Sequence, residues 1–350
     1  MPTDRQGNND MIWTEEKLNE LLVTPSDRLV ADIAAIKGDI MVLGAGGKMG
    51  PTLCILAKKA IERAGIAKRV IAVSRFGDGE TLALLHENGV ETISADLLDM
   101  DALNVLPDVE NIIFMAGRKF GTDGGSEYLT WAMNATLPSF VAYRFRRANI
   151  VIFSSGNVYP IVPVAGGGCT EADKPAPSGE YPMSVLARER AFEYASQKYG
   201  TRVFNYRLNF AVDLRYGVLF DCAKKIMDGT PISLDTPCFN FIWQGSANEM
   251  AIRALLHTAS PMRTMNITGP ETVSIKKAAL KLGEYLGKAP IFAGEEGDSA
   301  FLSDASLAME TFGYPEVSAG TLIRWQAEYL LSGSRTLDKP THFEERKGTY

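Results

Sequence analysis

From residue 39 onward the chain alternates short apolar runs with longer stretches whose apolar residues recur every three to four positions. The runs DIMVLG, RVIAVS, ETISAD, NIIFMAG and NIVIFSS are rich in β-branched residues and apolar at successive positions, which predicts strands covered on both faces. Between them the pattern predicts helices over 49–64, 79–88 and 126–147. This order specifies an α/β fold, a doubly wound parallel sheet of the Rossmann type. Ahead of it, TEEKLNELL sets Leu18, Leu21 and Leu22 on one helical face. A second helix starts at Thr24-Pro25-Ser26-Asp27, continues the stripe through Leu29, Ile33 and Ile36, and closes at Gly38. Beyond residue 160 the alternation loosens into Pro- and Gly-rich loops, with helices near 219–228, 246–258, 274–286 and 318–331. The expected organisation is a helical extension over 1–38, a dinucleotide-binding domain over 39–210, a smaller substrate-binding cap mainly over 211–332, and a polar, mobile tail over 333–350.

The first run leads into Gly44-Ala45-Gly46-Gly47-Lys48-Met49-Gly50, which opens a helix. Glycines at 44, 47 and 50 permit a tight turn, a close approach to a pyrophosphate and close helix-on-strand packing, and the helix N-terminus favours an anion. At the end of the second run stand Ser74 and Arg75 where a carboxylate would bind a ribose 2′-hydroxyl. Arg75, with Lys48, suits a 2′-phosphate, so the cofactor expected is NADP, with NAD the alternative. Asp96 and Leu97, ending the third run, flank the expected adenine; Met115, Ala116 and Gly117, ending the fourth, line the adjoining ribose.

Bulk composition narrows the rest. The 350 residues are 46% hydrophobic and 22% charged with a net charge of −6, which argues against nucleic acid or an anionic membrane as partner. Cys54, Cys169, Cys222 and Cys238 are widely spaced and have no histidine nearby, so neither a metal site nor a disulfide framework is expected. No apolar run has the length of a membrane span and the first ten residues are polar, which makes the cytoplasm the expected location.

Several ordered segments resemble the extended short-chain dehydrogenase/reductase superfamily, the NAD(P)-dependent sugar epimerases and dehydratases. IFSSGNVYP is similar to its Ser-Ser-x-x-Val-Tyr segment and puts Ser155 at the catalytic serine or threonine position, after Ser154 on the cofactor side. Glu171, Pro175 and Pro177 match the landmarks before the catalytic tyrosine, which falls on Tyr181; Glu189, MNITGPETVSI and SDASLAMETFGYP match later ones. The resemblance implies that Tyr181 exchanges a proton with a substrate oxygen that Ser155 polarises, while nicotinamide exchanges hydride at the same carbon. It also implies a homodimer through the helices near 126–147 and 181–199.

The sequence departs from the family in two places. Val185 stands where a lysine one turn beyond the tyrosine lowers its pKa and holds the nicotinamide ribose. Candidate replacements are Arg188, one helical turn too far along the axis, and Arg118 or Lys119 from the loop GRKFGTDGG. Phe239 and the pair Glu295 and Glu296 stand where arginines would hold a substrate pyrophosphate, which favours a free sugar, sugar acid or polyol over a nucleotide sugar. Arg118, Lys119, Asn157 and Asn209 are the expected substrate residues, with Trp243 and Gln244 as possible lining. The function expected is an NAD(P)-dependent oxidoreductase or epimerase/dehydratase of a small hydroxylated carbonyl compound; a cofactor-binding sensor or scaffold without turnover is the alternative. A lyase or epimerase using Glu171 or Asp173 as its carboxylate is a third.

Overall fold

In the computed structural model, residues 13–77, 79–120, 124–337, 341–346 and 348 are described. Seven parallel strands form the central sheet: β1 (Ile40–Leu43), β2 (Val70–Ser74), β3 (Glu91–Ser94), β4 (Asn111–Phe114), β5 (Asn149–Ser155), β6 (Arg202–Leu208) and β7 (Arg263–Ile267). Their spatial order is β7-β6-β5-β4-β1-β2-β3. The direction of winding reverses at β1, which pairs with β2 on one side and β4 on the other. A crevice at such a switch point, at the carboxyl ends of the strands, is where this architecture accepts ligands.

Alternation along β1 explains the two layers. Ile40 and Val42 enter one core, shared with Leu53 and Ala57 of α3 (Gly50–Arg63) and with Leu29 and Ile33 of α2 (Asp27–Ala35). Met41 and Leu43 enter the other, with Leu137 and Val141 of α7 (Leu137–Arg144) and Phe192 of α8 (Glu180–Tyr199). Helix α1 (Glu15–Leu22) adds Leu18 and Leu22 to the first core. Ser26 caps α2 by accepting from Leu29 N, so the helix begins after Pro25 and the cap is not the Thr24 hydroxyl that precedes that proline.

The expected single helix over 126–147 is broken. A short α6 (Glu127–Trp131) passes through a π-turn (Ala132–Thr136) before α7 begins. Beyond β6 come α9 (Val218–Asp228), α10 (Gln244–Arg253), α11 (Ile275–Leu286), α12 (Ser306–Phe312) and α13 (Ala319–Leu331), each buried along one side.

The expectation of a mobile tail does not hold for 341–346. Thr341 donates from its backbone N to Asp221 of α9 at 2.9 Å, Phe343 is buried, and Arg346 donates to Ser299 O and Asp235 O. One aromatic plug and a few specific hydrogen bonds hold a segment whose composition reads as solvated. Residues 338–340, 347, 349 and 350 of the same tail lie outside the described residues.

Candidate active site

The glycine loop is shaped by what its glycines leave out. Gly44 has φ +92°, and a Cβ there would lie 2.4 Å from Ala116 N. A Cβ at Gly50 would lie 2.3 Å from Ala45 O, so α3 can approach the loop only because that atom is missing. Gly44 and Ala45 donate their N–H groups to Val73 O, tying the loop to β2. At the N-terminus of α3 no side chain caps the free N–H groups, and Pro51 occupies the first turn. An uncapped helix start behind a glycine cradle fits a dinucleotide pyrophosphate.

Arg75 is exposed just past β2, and Ser74 is half-buried beneath a chain that turns back through Phe76 at φ +44°. Asp96 accepts from Leu98 N, and Leu97 is buried beside it. Lys48 is turned away from Arg75 towards the cap, with its Nζ 3.2 Å from the centroid of the Tyr216 ring and 5.3 Å from that of Phe120.

Between this loop and the cap lies a cleft of about 390 Å³. It is lined by Gly44, Gly47, Lys48 and Met49 from the glycine loop, by Met115, Gly117, Arg118, Lys119 and Phe120 after β4, and by Ser154, Ser155 and Asn157 after β5. Tyr181 and Arg188 of α8 form another wall; Asn209, Tyr216, Gln244 and Thr341 face them from the cap side. Trp243 is buried elsewhere, in edge contact with Trp325.

Ser155 and Tyr181 line the same cleft, and the Ser155 side chain is among the groups that act on the Tyr181 phenol. The Ser155 hydroxyl is also fixed by Asn157, donating to Oδ1 at 2.9 Å and accepting from the backbone N at 3.1 Å. Burial pushes the Tyr181 phenol above the ordinary tyrosine value, while Arg188 and the Ser155 side chain act in the opposite direction. The net direction is upward, so the phenol is a proton donor at neutral pH. Lys119 comes over the same ring, with its Nζ 5.8 Å from the centroid, and burial pulls its ammonium down to about 8.

Among the described residues no carboxylate lines the cleft. Glu171 accepts from Asn266 N, and Asp173 accepts from Thr170 N and Oγ1, so both act in loop structure. Ser154 donates to Glu189, and Glu189 forms a bidentate pair with Arg207 at 2.9 and 2.7 Å. Arg207 donates in turn to Tyr159, and Tyr159 to Asn266. This chain of buried polar groups joins β5, α8, β6 and β7 directly behind the cleft.

Asn134 is a residue that sequence reasoning passed over. It sits in the π-turn, accepts from Arg118 N at 2.9 Å and donates to Arg118 O at 2.8 Å, which fixes the start of the loop carrying Lys119. Arg118 itself is turned into that loop, donating to Phe120 O and Ser126 Oγ. Asn209 is buried and donates to Asn240 Oδ1 at 2.8 Å. The aromatic stretch at Phe239 is core: Phe239 stacks on Phe241 at 5.0 Å. No group of His, Cys, Asp and Glu able to hold a metal occurs among the described residues, and all four cysteines are free.

Residues 40–212 match the model of the NAD dependent epimerase/dehydratase family. Over this segment the chain is similar to that family. Solved structures share the fold well beyond it. UDP-glucuronic acid 4-epimerase from Bacillus cereus, solved with UDP-glucuronic acid and NAD, superposes with a TM-score of 0.68 at 19% identity, over 84% of this chain and 99% of that one. UDP-glucose 4-epimerase from Thermus thermophilus, solved with NAD, gives 0.65 at 19% identity over the same shares. UDP-glucose 4-epimerase from Thermotoga maritima, with UDP-glucose, gives 0.67 at 18% identity, again over 84% and 99%. No curated protein matches the chain. No helix among the described residues is long and apolar enough to cross a membrane.

Proposed function

We propose that this chain is an active NAD(P)-dependent enzyme of the epimerase/dehydratase family that reduces, or interconverts through a carbonyl, a small hydroxylated compound. The observation that carries the reading is that Ser155 and Tyr181 face the same cleft beside the glycine loop. A bound nicotinamide supplies or accepts hydride. Tyr181 passes its phenolic proton to the substrate oxygen as the carbonyl carbon gains hydride, and Ser155, held by Asn157, steadies that oxygen. A phenol raised by burial favours this donor role over proton abstraction from an alcohol. Purified protein incubated with NADPH and a panel of sugars, sugar acids and ketoses is expected to show substrate-dependent loss of nicotinamide absorbance. Tight nucleotide binding without turnover on any of them favours the sensor reading, which the apolar Val185 motivates.

The similar solved structures hold NAD and UDP sugars. For this chain NADP is favoured by Arg75 following β2, with no carboxylate at that strand end. Arg75→Ala is expected to weaken NADPH binding by roughly 10- to 100-fold, the worth of a charge-assisted hydrogen bond, while leaving NADH unchanged. Equal affinity of the parent protein for the two cofactors, read by fluorescence titration, would count against NADP. A substrate smaller than a nucleotide sugar is favoured by Phe239, buried where the resemblance places a pyrophosphate-binding arginine; Glu295 and Glu296 are exposed, do not line the cleft and do not bear on the choice. Turnover of a UDP sugar but of no free sugar or polyol reverses that choice.

A homodimer is supported by exposed aromatics on α6, α7 and α8: Tyr128, Trp131, Tyr143, Tyr194 and Tyr199. Packing this face against a second copy removes apolar area that a monomer leaves in water. Light scattering is expected to give twice the chain mass, and a monomer at micromolar concentration rules the dimer out.

A further inference from the structure

Tyr181, Val185, Arg188 and Phe192 are spaced to share one face of α8, and helical side chains lean towards the N-terminus of their helix. Val185 brings no charge to that face. It is sealed in an apolar cluster with Val158, Tyr159 and Cys169, against which Tyr181 packs. Arg188 behaves differently. Its side chain lines the cleft together with Tyr181 and Ser155. Nη1 donates to Phe153 O at 2.6 Å and Nη2 to Asn134 Oδ1 at 2.9 Å, both neutral acceptors. Nε is buried without a partner. Glu189, the neighbouring carboxylate, is committed to Arg207 and Ser154. The guanidinium charge therefore has no carboxylate bonded to it. A Cβ at Gly117 would lie 2.5 Å from Arg188 Nη2, so the glycine in the segment just after β4 makes room for this group.

We propose that Arg188 is the cation that tunes Tyr181 in this chain, acting from the second helical turn in place of a lysine at 185. It is a positioning residue that works through the phenol, and the proposal rests on reading Tyr181 as the proton-transfer group. The groups facing Tyr181 are Arg188 from its own helix, Ser155 from β5, Lys119 from the loop after β4 and Tyr216 from the cap, with Lys48 beyond Tyr216. Arg188 and Lys119 differ in when they are charged. Burial lowers Lys119 to about 8 and Arg188 only to about 10, so the arginine keeps its charge over the range in which the lysine loses it.

The test places 3,5-difluorotyrosine at position 181, whose phenol ionises in an accessible pH range, and follows its titration by fluorine NMR in the full chain. Arg188→Met is expected to raise the midpoint by one pH unit or more, Arg188→Lys by less, and Val185→Lys added to Arg188→Met to recover at least half of the shift. Lys119→Met is expected to move it less than Arg188→Met does. Arg188→Gln, which retains a donor for Asn134, repeats the measurement if the methionine variant does not fold. An unmoved midpoint in a folded neutral variant, or a larger effect from Lys119→Met, overturns the proposal. Its failure and that of the enzyme reading are separable. A shifted midpoint with no turnover on any carbonyl substrate removes the activity and leaves the electrostatic role; turnover with an unmoved midpoint does the reverse.

Discussion

Tyr181→Phe is expected to lower turnover by about 10²- to 10⁴-fold, the usual worth of a positioned acid or base. The substitution removes one oxygen and keeps the ring that packs against Val158, Tyr159 and Val185, so folding is expected to be unaffected. The glycine loop is untouched, and dinucleotide affinity should stay within about tenfold, the limit set by one lost hydrogen bond. Burial raises the phenol, so Tyr181 is protonated below and around the ordinary tyrosine value near 10. The rate of carbonyl reduction in the parent protein is therefore expected to be level with respect to this group through neutral pH and to fall only at high pH. The variant should lack that alkaline limb. Steady-state kinetics across pH checks both parts, and a variant turning over within about twofold of the parent would remove Tyr181 from the chemistry.

Glu189→Ala should be the most damaging single change to stability. Glu189 and Arg207 are both buried and doubly hydrogen-bonded, and Ser154 and Tyr159 complete the set. Removing the carboxylate leaves a guanidinium uncompensated in the core, at a cost of about 3–5 kcal/mol. A thermal midpoint lower by on the order of 10 °C is expected. The double change Glu189→Ala with Arg207→Met should regain part of that loss, since the penalty lies in the unpaired charge more than in the missing attraction. A loss under about 1 kcal/mol in the single variant, measured by denaturant unfolding, would mean that water reaches the pair.

The legibility of the sequence varied with how local the causes were. β1, β2 and β4 are apolar on successive positions because helices cover both their faces, so hydropathy alone marks them. β6 and β7 are buried over most of their length but read RVFNYRL and RTMNI, where Asn205, Arg207 and Asn266 interrupt the apolar run. Two of those three polar residues belong to the network behind the cleft, and that partnership is invisible until the strands are side by side. The π-turn at Asn134 is equally hidden, since what holds its side chain is the backbone of Arg118, sixteen residues away. Motif spacing alone picks out Ser155 and Tyr181, and both line the cleft. Arg188 is harder to place from sequence for a geometric reason: rise per residue measures the distance between backbone positions and leaves out a long side chain leaning back along the helix, here into the cleft that Tyr181 lines.

The glycine loop carries one more consequence. Its shape is set by the main chain, and its glycines contribute by omitting atoms that would strike Ala116 and Ala45. Such a surface offers few side chains for substitution to alter. That helps explain how a chain and its structural neighbours can share only 19% of their residues and still superpose with a TM-score of 0.68. Side chains in the walls around the loop can change without altering the main-chain shape that its glycines allow.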